Sequence, residues 1–87
     1  MNREEIKEKL KEEIKPYVQN ETAFENMTED TNLLMDLEIN SAHLVDIILD
    51  MEEAFDIEID DESAEKMMTI GEALNISEKL IQEKDDA

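Results

Sequence analysis

Apolar residues recur along this chain at the spacing of a helix rather than that of a strand. Ile6, Leu10, Ile14 and Val18 step by four with Glu and Lys between them, which predicts a first amphipathic helix. Asn2 is placed to cap it, and Glu5 holds the capping-box position three residues on. Pro16 ends or bends this helix near Lys15–Pro16, with one ragged turn beyond. The strongest pattern starts at Ser41: Leu44, Ile47, Ile48, Met51 and Phe55 form one face of a helix of about 15 residues. Asp46, Asp50 and Glu53 fall on its far side, and Val45 and Leu49 form a second, smaller apolar strip that stays partly exposed.

Residues 19–40 form a long connection rich in cap and turn formers, among them Asn20, Thr22, Asn26, Thr28 and Asn32. So long a segment without structure is unusual in a compact domain. Phe24, Leu33, Leu34 and Leu37 are expected to pin it to the core, with a short turn of helix around Thr31–Leu37. Ile57-Glu58-Ile59 alternates but has no partner strand, so it reads as an extended link. Asp60 then caps a short helix from Asp61 to about Met67. Thr69-Ile70-Gly71-Glu72 opens a last helix whose inner face is Ile70, Ala73, Leu74, Ser77, Leu80 and Ile81, and residues 84–87 are expected to fray. The expectation is a single all-α domain over residues 1–87, a small four-helix bundle of three longer helices and one short one.

Composition narrows the function. The chain has 87 residues, too few for both a scaffold and a deep enzyme cleft. With no cysteine it lacks disulfides, thiolate metal sites and a thiol nucleophile. The 26 acidic and 8 basic residues leave a net charge of −18, which repels nucleic acid and anionic lipid and attracts partners with basic docking patches. No apolar run near the start reads as a secretory signal and none is long enough to span a bilayer, so the expected location is the cytoplasm, as a monomer without membrane insertion.

Catalytic and metal constellations are weak. His43 is the single histidine and stands two residues after Ser41, so on a helix the two side chains diverge; an exposed histidine is expected. The acids from Asp56 to Asp61 resemble a calcium loop, but Asp61 occupies its glycine position and Met67 its final glutamate position. No enzyme and no metal site are predicted. Met51 and Met67 are expected to face each other from the central and short helices, and flexible thioethers there suit an expandable interior. Asn40 or Ser41 can cap the start of the central helix, and for Ser41 an ordinary cap is one reading. The same place also favours a phosphate, because free amides and the positive dipole end converge there.

One stretch resembles the heart of an acyl carrier protein: Asp36-Leu37, a short link, Asn40-Ser41-Ala42, then an acidic amphipathic helix closing in Glu52-Glu53-Ala54-Phe55. Ile57 to Met67 and Thr69-Ile70-Gly71-Glu72-Ala73 continue the likeness. The resemblance implies a 4′-phosphopantetheine arm on Ser41, placed there by a phosphopantetheinyl transferase from coenzyme A. The arm would carry acyl groups as thioesters to acyl-transferring or condensing enzymes of fatty-acid, lipid or polyketide-type biosynthesis. It also implies partner docking through Asn40, Ala42, Val45, Asp46, Leu49, Glu52, Glu53 and Ile59. The chain departs from the family pattern at Asn40, usually aspartate, at Ala42, usually leucine, and at Glu38, often glycine; these suggest a specialised carrier with its own transferase or pathway. Alternatives are a carrier of aminoacyl or aryl starter units and an unmodified helical adaptor.

The charge yields a first test. Raising ionic strength from 0.01 to 0.1 M shortens the Debye length from about 30 Å to about 10 Å and weakens repulsion among the carboxylates. The melting temperature is expected to rise between those two conditions; an unchanged or lower value contradicts a self-repelling fold.

Overall fold

The computed structural model describes residues 2–86. Among them the chain forms α1 (Arg3–Ile14), a 3₁₀ turn (Lys15–Tyr17), α2 (Glu21–Glu25), α3 (His43–Phe55), α4 (Asp61–Lys66) and α5 (Ile70–Asp86). The only pairing of strand type among the described residues is an isolated antiparallel bridge between Asn32 and Thr69. The all-α bundle and its three longer helices match the expectation. A second short helix, α2, lies inside the segment read as a connection, where the Asn20 side chain accepts from Ala23 N–H at 3.1 Å and caps it.

Local chemistry sets the ends of these helices. Both halves of the Asn2–Glu5 capping box are made, and Pro16 confines the chain beyond Ile14 to one 3₁₀ turn. The predicted faces fill the core: Ile6, Leu10 and Ile14 from α1, Ile47, Met51 and Phe55 from α3, and Ile70, Ala73, Leu74 and Ile81 from α5 are buried, with Met67 just beyond α4. α1 packs against both α3 and α5. Buried Ser77 also faces inward, and its hydroxyl has no hydrogen-bond partner. Asp60 caps α4 through Ser63 N–H at 2.7 Å, and Thr69 Oγ1 caps α5 through Glu72 N–H at 3.2 Å. α5 continues to Asp86, where fraying from Lys84 was expected: Lys84 Nζ lies 3.1 Å from Asp56 Oδ2 and ties the last turn to the end of α3. Ala87 lies outside the described residues.

The connection before α3 is held by backbone hydrogen bonds as well as by Leu33, Leu37 and Ile39, all buried. Gly71 N–H donates to Glu29 C=O (2.8 Å), Ile70 N–H to Thr31 C=O (3.0 Å), and Leu33 N–H to Met68 C=O (2.9 Å). The first two satisfy amides that the start of a helix otherwise leaves without partners, and the third satisfies an amide of the connection. Gly71 is required for this approach, since a Cβ there would stand 2.9 Å from Glu29 O and 3.2 Å from Glu29 Cβ. Arg3 adds a charged clamp: its Nε donates to Glu29 Oε2 at 3.1 Å, and its Nη1 reaches Asn75 Oδ1 at 3.0 Å and Glu78 Oε1 at 2.8 Å. The guanidinium bond holds the Glu29 carboxyl below its usual range, so this contribution is present at neutral pH and is lost as pH falls through the lowered folded value.

Around Asn32 the chain makes the expected turn without extending it into a helix. Asn32 C=O accepts from Asp36 and Leu37 N–H, both at 3.1 Å, and its side chain accepts from Leu34 and Met35 N–H at 2.9 Å. The turn stops because Glu38 adopts φ 55°, in the left-handed region. Asp56 at φ 54° ends α3 in the same way, and Ile57 N–H closes on Glu52 C=O at 3.1 Å.

Two substitutions test this account. The left-handed conformation costs a residue with a Cβ about 1–2 kcal/mol, against about 0.5–1 kcal/mol of extra entropy lost by glycine on folding. Glu38→Gly is therefore expected to raise the melting temperature by a few degrees. Gly71→Ala should lower it: overpacking against backbone costs about 1–3 kcal/mol, more than alanine's helix-propensity gain of about 1 kcal/mol. Thermal melts that give the opposite sign at either position contradict the corresponding geometry.

Candidate functional site

Ser41 stands on an exposed turn immediately before α3, two residues earlier than the helix itself begins. Asn40 causes the offset. Its side-chain oxygen accepts from Ala42 N–H at 2.9 Å, and its backbone carbonyl accepts from His43 N–H at 2.8 Å. Leu44 N–H then reaches back to Ser41 C=O at 3.2 Å. Ser41 is thus not the cap: the cap position falls at Ala42 without a side-chain cap bond, Asn40 closes the turn before it, and the amides of Ala42, His43 and Leu44 are already engaged. The expectation that free amides at Ser41 welcome a phosphate is corrected accordingly, leaving the helix dipole as the favourable field there. No described side-chain hydrogen bond engages the Ser41 hydroxyl. An exposed hydroxyl on a closed turn fits a covalent arm that must project into solvent.

Two buried anchors fix the height of this turn. Leu37 and Ile39 point into the core on either side of Glu38, while Leu37 C=O accepts from Gln19 and Asn20 N–H, both at 3.2 Å. Ile39 N–H donates to Leu33 C=O at 3.2 Å. Ser41 therefore rises from a tethered segment directly onto α3.

Of the residues expected to meet partners, Asn40, Ala42, Val45, Asp46, Leu49 and Glu53 are exposed. Val45 is 62% and Leu49 56% exposed, unusual values for aliphatic side chains on a packed helix. Ile59 is a correction. The alternation Ile57-Glu58-Ile59 turns both isoleucines inward, and Ile59 keeps 9% of its surface, so it belongs to the core rather than to a contact surface. Its N–H donates to Glu52 Oε2 at 2.8 Å, which occupies the half-buried Glu52 carboxylate in holding the link after α3.

The structure also brings together groups that the sequence left apart. The ring of Tyr17, from the 3₁₀ turn, lies 5.0 Å from that of His43, centroid to centroid, at 34°. His43 Nδ1 is 3.3 Å from Asp46 Oδ2, and the Tyr17 hydroxyl donates to Asp50 Oδ2 at 3.3 Å. His43 is exposed, as expected, and turned toward Asp46 and Tyr17. Burial, then the Asp50 charge and hydrogen bond, push the Tyr17 hydroxyl up. Burial, then Asp50 and Glu12, push the Glu13 carboxyl up on the adjoining face of α1. This region is strongly negative. The chain has no Lys or Arg from Pro16 to Glu65, a gap legible in the sequence once α3 is known to sit in its middle. Among the described residues no group of three His, Asp or Glu side chains could hold a metal ion, and no helix is long and apolar enough to cross a membrane.

A family model described as a phosphopantetheine attachment site matches residues 4–76, a span that contains Ser41. A protein of Lactobacillus acidophilus named acyl carrier protein is 40% identical over 75 residues, covering 86% of this chain and 91% of its own length. One of the same name from Rubrobacter xylanophilus is 39% identical over 75 residues, covering 86% and 90%. Another, from Desulforapulum autotrophicum, is 46% identical over 55 residues, covering 63% and 71%.

Proposed function

The chain belongs to the acyl carrier protein family, and from that premise we propose that its 4′-phosphopantetheine arm is attached at Ser41. The family carries acyl groups in biosynthesis on this covalently attached group, whose terminal thiol forms the thioester. The observation that carries the assignment is the exposed, unengaged hydroxyl of Ser41 on a closed turn inside the matched span. The chain's own residues present that hydroxyl. Asn40 closes the turn, Leu37 and Ile39 hold it to the core, and α3 leads away from it.

In this reading the protein is a substrate of enzymes rather than a catalyst. His43 is turned toward Asp46 and Tyr17, and among the described residues no hydrogen bond joins it to Ser41. Partners are a phosphopantetheinyl transferase and acyl-handling enzymes that present basic patches. They meet Val45, Asp46, Leu49 and Glu53 on α3, with Asn40 and Ala42 at the turn. Net negative charge steers the encounter, and the two exposed aliphatic side chains hold the complex. Ile59 and the carboxylate of Glu52 are left out of this surface because the fold uses both.

The test is incubation with coenzyme A and a broad-specificity transferase, read by intact mass. One arm is expected on the wild type and none on Ser41→Ala. An arm on the variant removes Ser41 from the assignment, and an unmodified wild type favours an adaptor without an arm. With the same enzyme, Asp46→Lys is expected to raise the apparent KM and flatten its salt dependence with helical circular dichroism intact. Wild-type efficiency for both Asp46→Lys and Leu49→Ala would remove α3 from the docking surface.

A further inference from the structure

Asp46, His43, Tyr17 and Asp50 form a closed chain of contacts beside Ser41. Asp46 meets the imidazole at 3.3 Å, the imidazole ring lies 5.0 Å from the Tyr17 ring, and the Tyr17 hydroxyl bonds Asp50 at 3.3 Å. Both carboxylates lie on the exposed side of α3, and Asp46 is among the residues assigned to partner contact. The chain therefore has a titratable group in direct contact with a docking acid, on a segment that has no lysine or arginine of its own.

We propose that His43 is a proton-operated shield on Asp46, so that the α3 surface recognises cationic partners strongly when the imidazole is neutral and weakly when it is protonated. The proposal rests on the docking reading above and names its regulation. Histidine is the side chain whose charge changes within the physiological pH range. Neutral His43 leaves Asp46 a full negative charge open to an incoming Lys or Arg. Protonated His43 completes an ion pair with Asp46, which is already 3.3 Å away, and its cation also lies against the face of Tyr17. The partner's cation would then have to displace an internal one.

The surrounding groups determine how far this effect extends. Asp46 is the carboxylate on His43's own helix. From the 3₁₀ turn comes Tyr17, whose hydroxyl is committed to Asp50, and behind Asp50 lies Glu13 of α1. Asp50 is held by Tyr17 at any pH at which the phenol is protonated, so Asp46 is the acid whose availability changes. Val45 and Leu49 are unaffected, and the apolar part of the contact stays constant while the electrostatic part varies. The shield therefore acts on the approach of a partner more than on its residence.

The experiment measures kcat/KM for arm transfer to Ser41 by one broad-specificity transferase at pH 6 and pH 8, at low salt. Wild type, His43→Gln and Asp46→Asn are compared, with circular dichroism recorded for each. The enzyme's own titration cancels in the ratio between carriers. From pH 8 to pH 6 the wild type is expected to lose about two- to fivefold more efficiency than His43→Gln, the scale of one exposed ion pair. High salt should close that gap. Equal pH ratios for wild type and His43→Gln overturn the shield. If Asp46→Asn is slow at pH 8 in that event, the docking surface stands and only its regulation fails. If Asp46→Asn matches the wild type at pH 8, the docking reading itself fails, and the shield with it.

Discussion

The fold depends on how a long connection is fastened to the beginning of α5. Three backbone hydrogen bonds, Gly71 to Glu29, Ile70 to Thr31 and Leu33 to Met68, do this. They serve both sides at once, because the helix gains acceptors for its first amides and the connection gains anchors that an irregular segment lacks. The fit requires a residue without Cβ at Gly71, the single glycine in the chain. From this seam the chain runs through the Asn32 turn, buries Leu37 and Ile39, and delivers Ser41 to the start of α3. If the seam opened, Ser41 would remain exposed but would no longer have a fixed place relative to α3.

Electrostatics follows the same division between holding and presenting. The few cations serve at structural joints. Arg3 clamps Glu29 and Glu78, Lys9 donates to Ala54 C=O at 3.4 Å, and Lys84 pairs with Asp56. The last two supply positive charge at the C-terminal end of α3 from neighbouring helices, because its own last turn has no basic residue. The segment from Pro16 to Glu65 has no Lys or Arg of its own, and the cations that pair with Glu29, Asp56 and Glu62 come from outside it. Burial first, and then the charges of Asp50 and Glu12, raise the Glu13 carboxyl on the adjoining face of α1, and its contribution to stability is lost as pH rises through that raised value. On the α3 surface, Asp46 and Glu53 stay exposed.

Much of this was legible in the sequence because it rests on local rules. Capping residues Asn2, Asp60 and Thr69, the break at Pro16 and the inward faces of α1, α3 and α5 are all within one or two turns of the residues that cause them. The exposure of Val45 and Leu49 followed from the same periodicity. What was missed depends on contacts distant in sequence or on backbone conformation. Arg3 meets residues of the connection and of α5, Tyr17 meets His43 across the bundle, and Ile59 is drawn inward by a link with no periodicity long enough to orient it. The start of α3 lies two residues beyond Ser41 because Asn40 first closes a turn through the amides of Ala42 and His43, and neither Asn40 nor Ser41 holds the cap position.

That turn bears on why the site has this form. A serine that caps its helix uses its hydroxyl oxygen as an acceptor and fixes its side chain against the backbone. A serine that must bear a long arm needs the same oxygen free and directed outward. Closing the turn from one residue earlier avoids the conflict: Asn40 accepts from Ala42 N–H, and no described side-chain hydrogen bond engages the Ser41 hydroxyl. An aspartate at that position would accept the same amide hydrogen bond while adding a negative charge beside Ser41. Asparagine preserves the geometry and omits the charge. Asparagine at this position therefore leaves presentation of the Ser41 hydroxyl intact and differs from aspartate in the charge placed beside it.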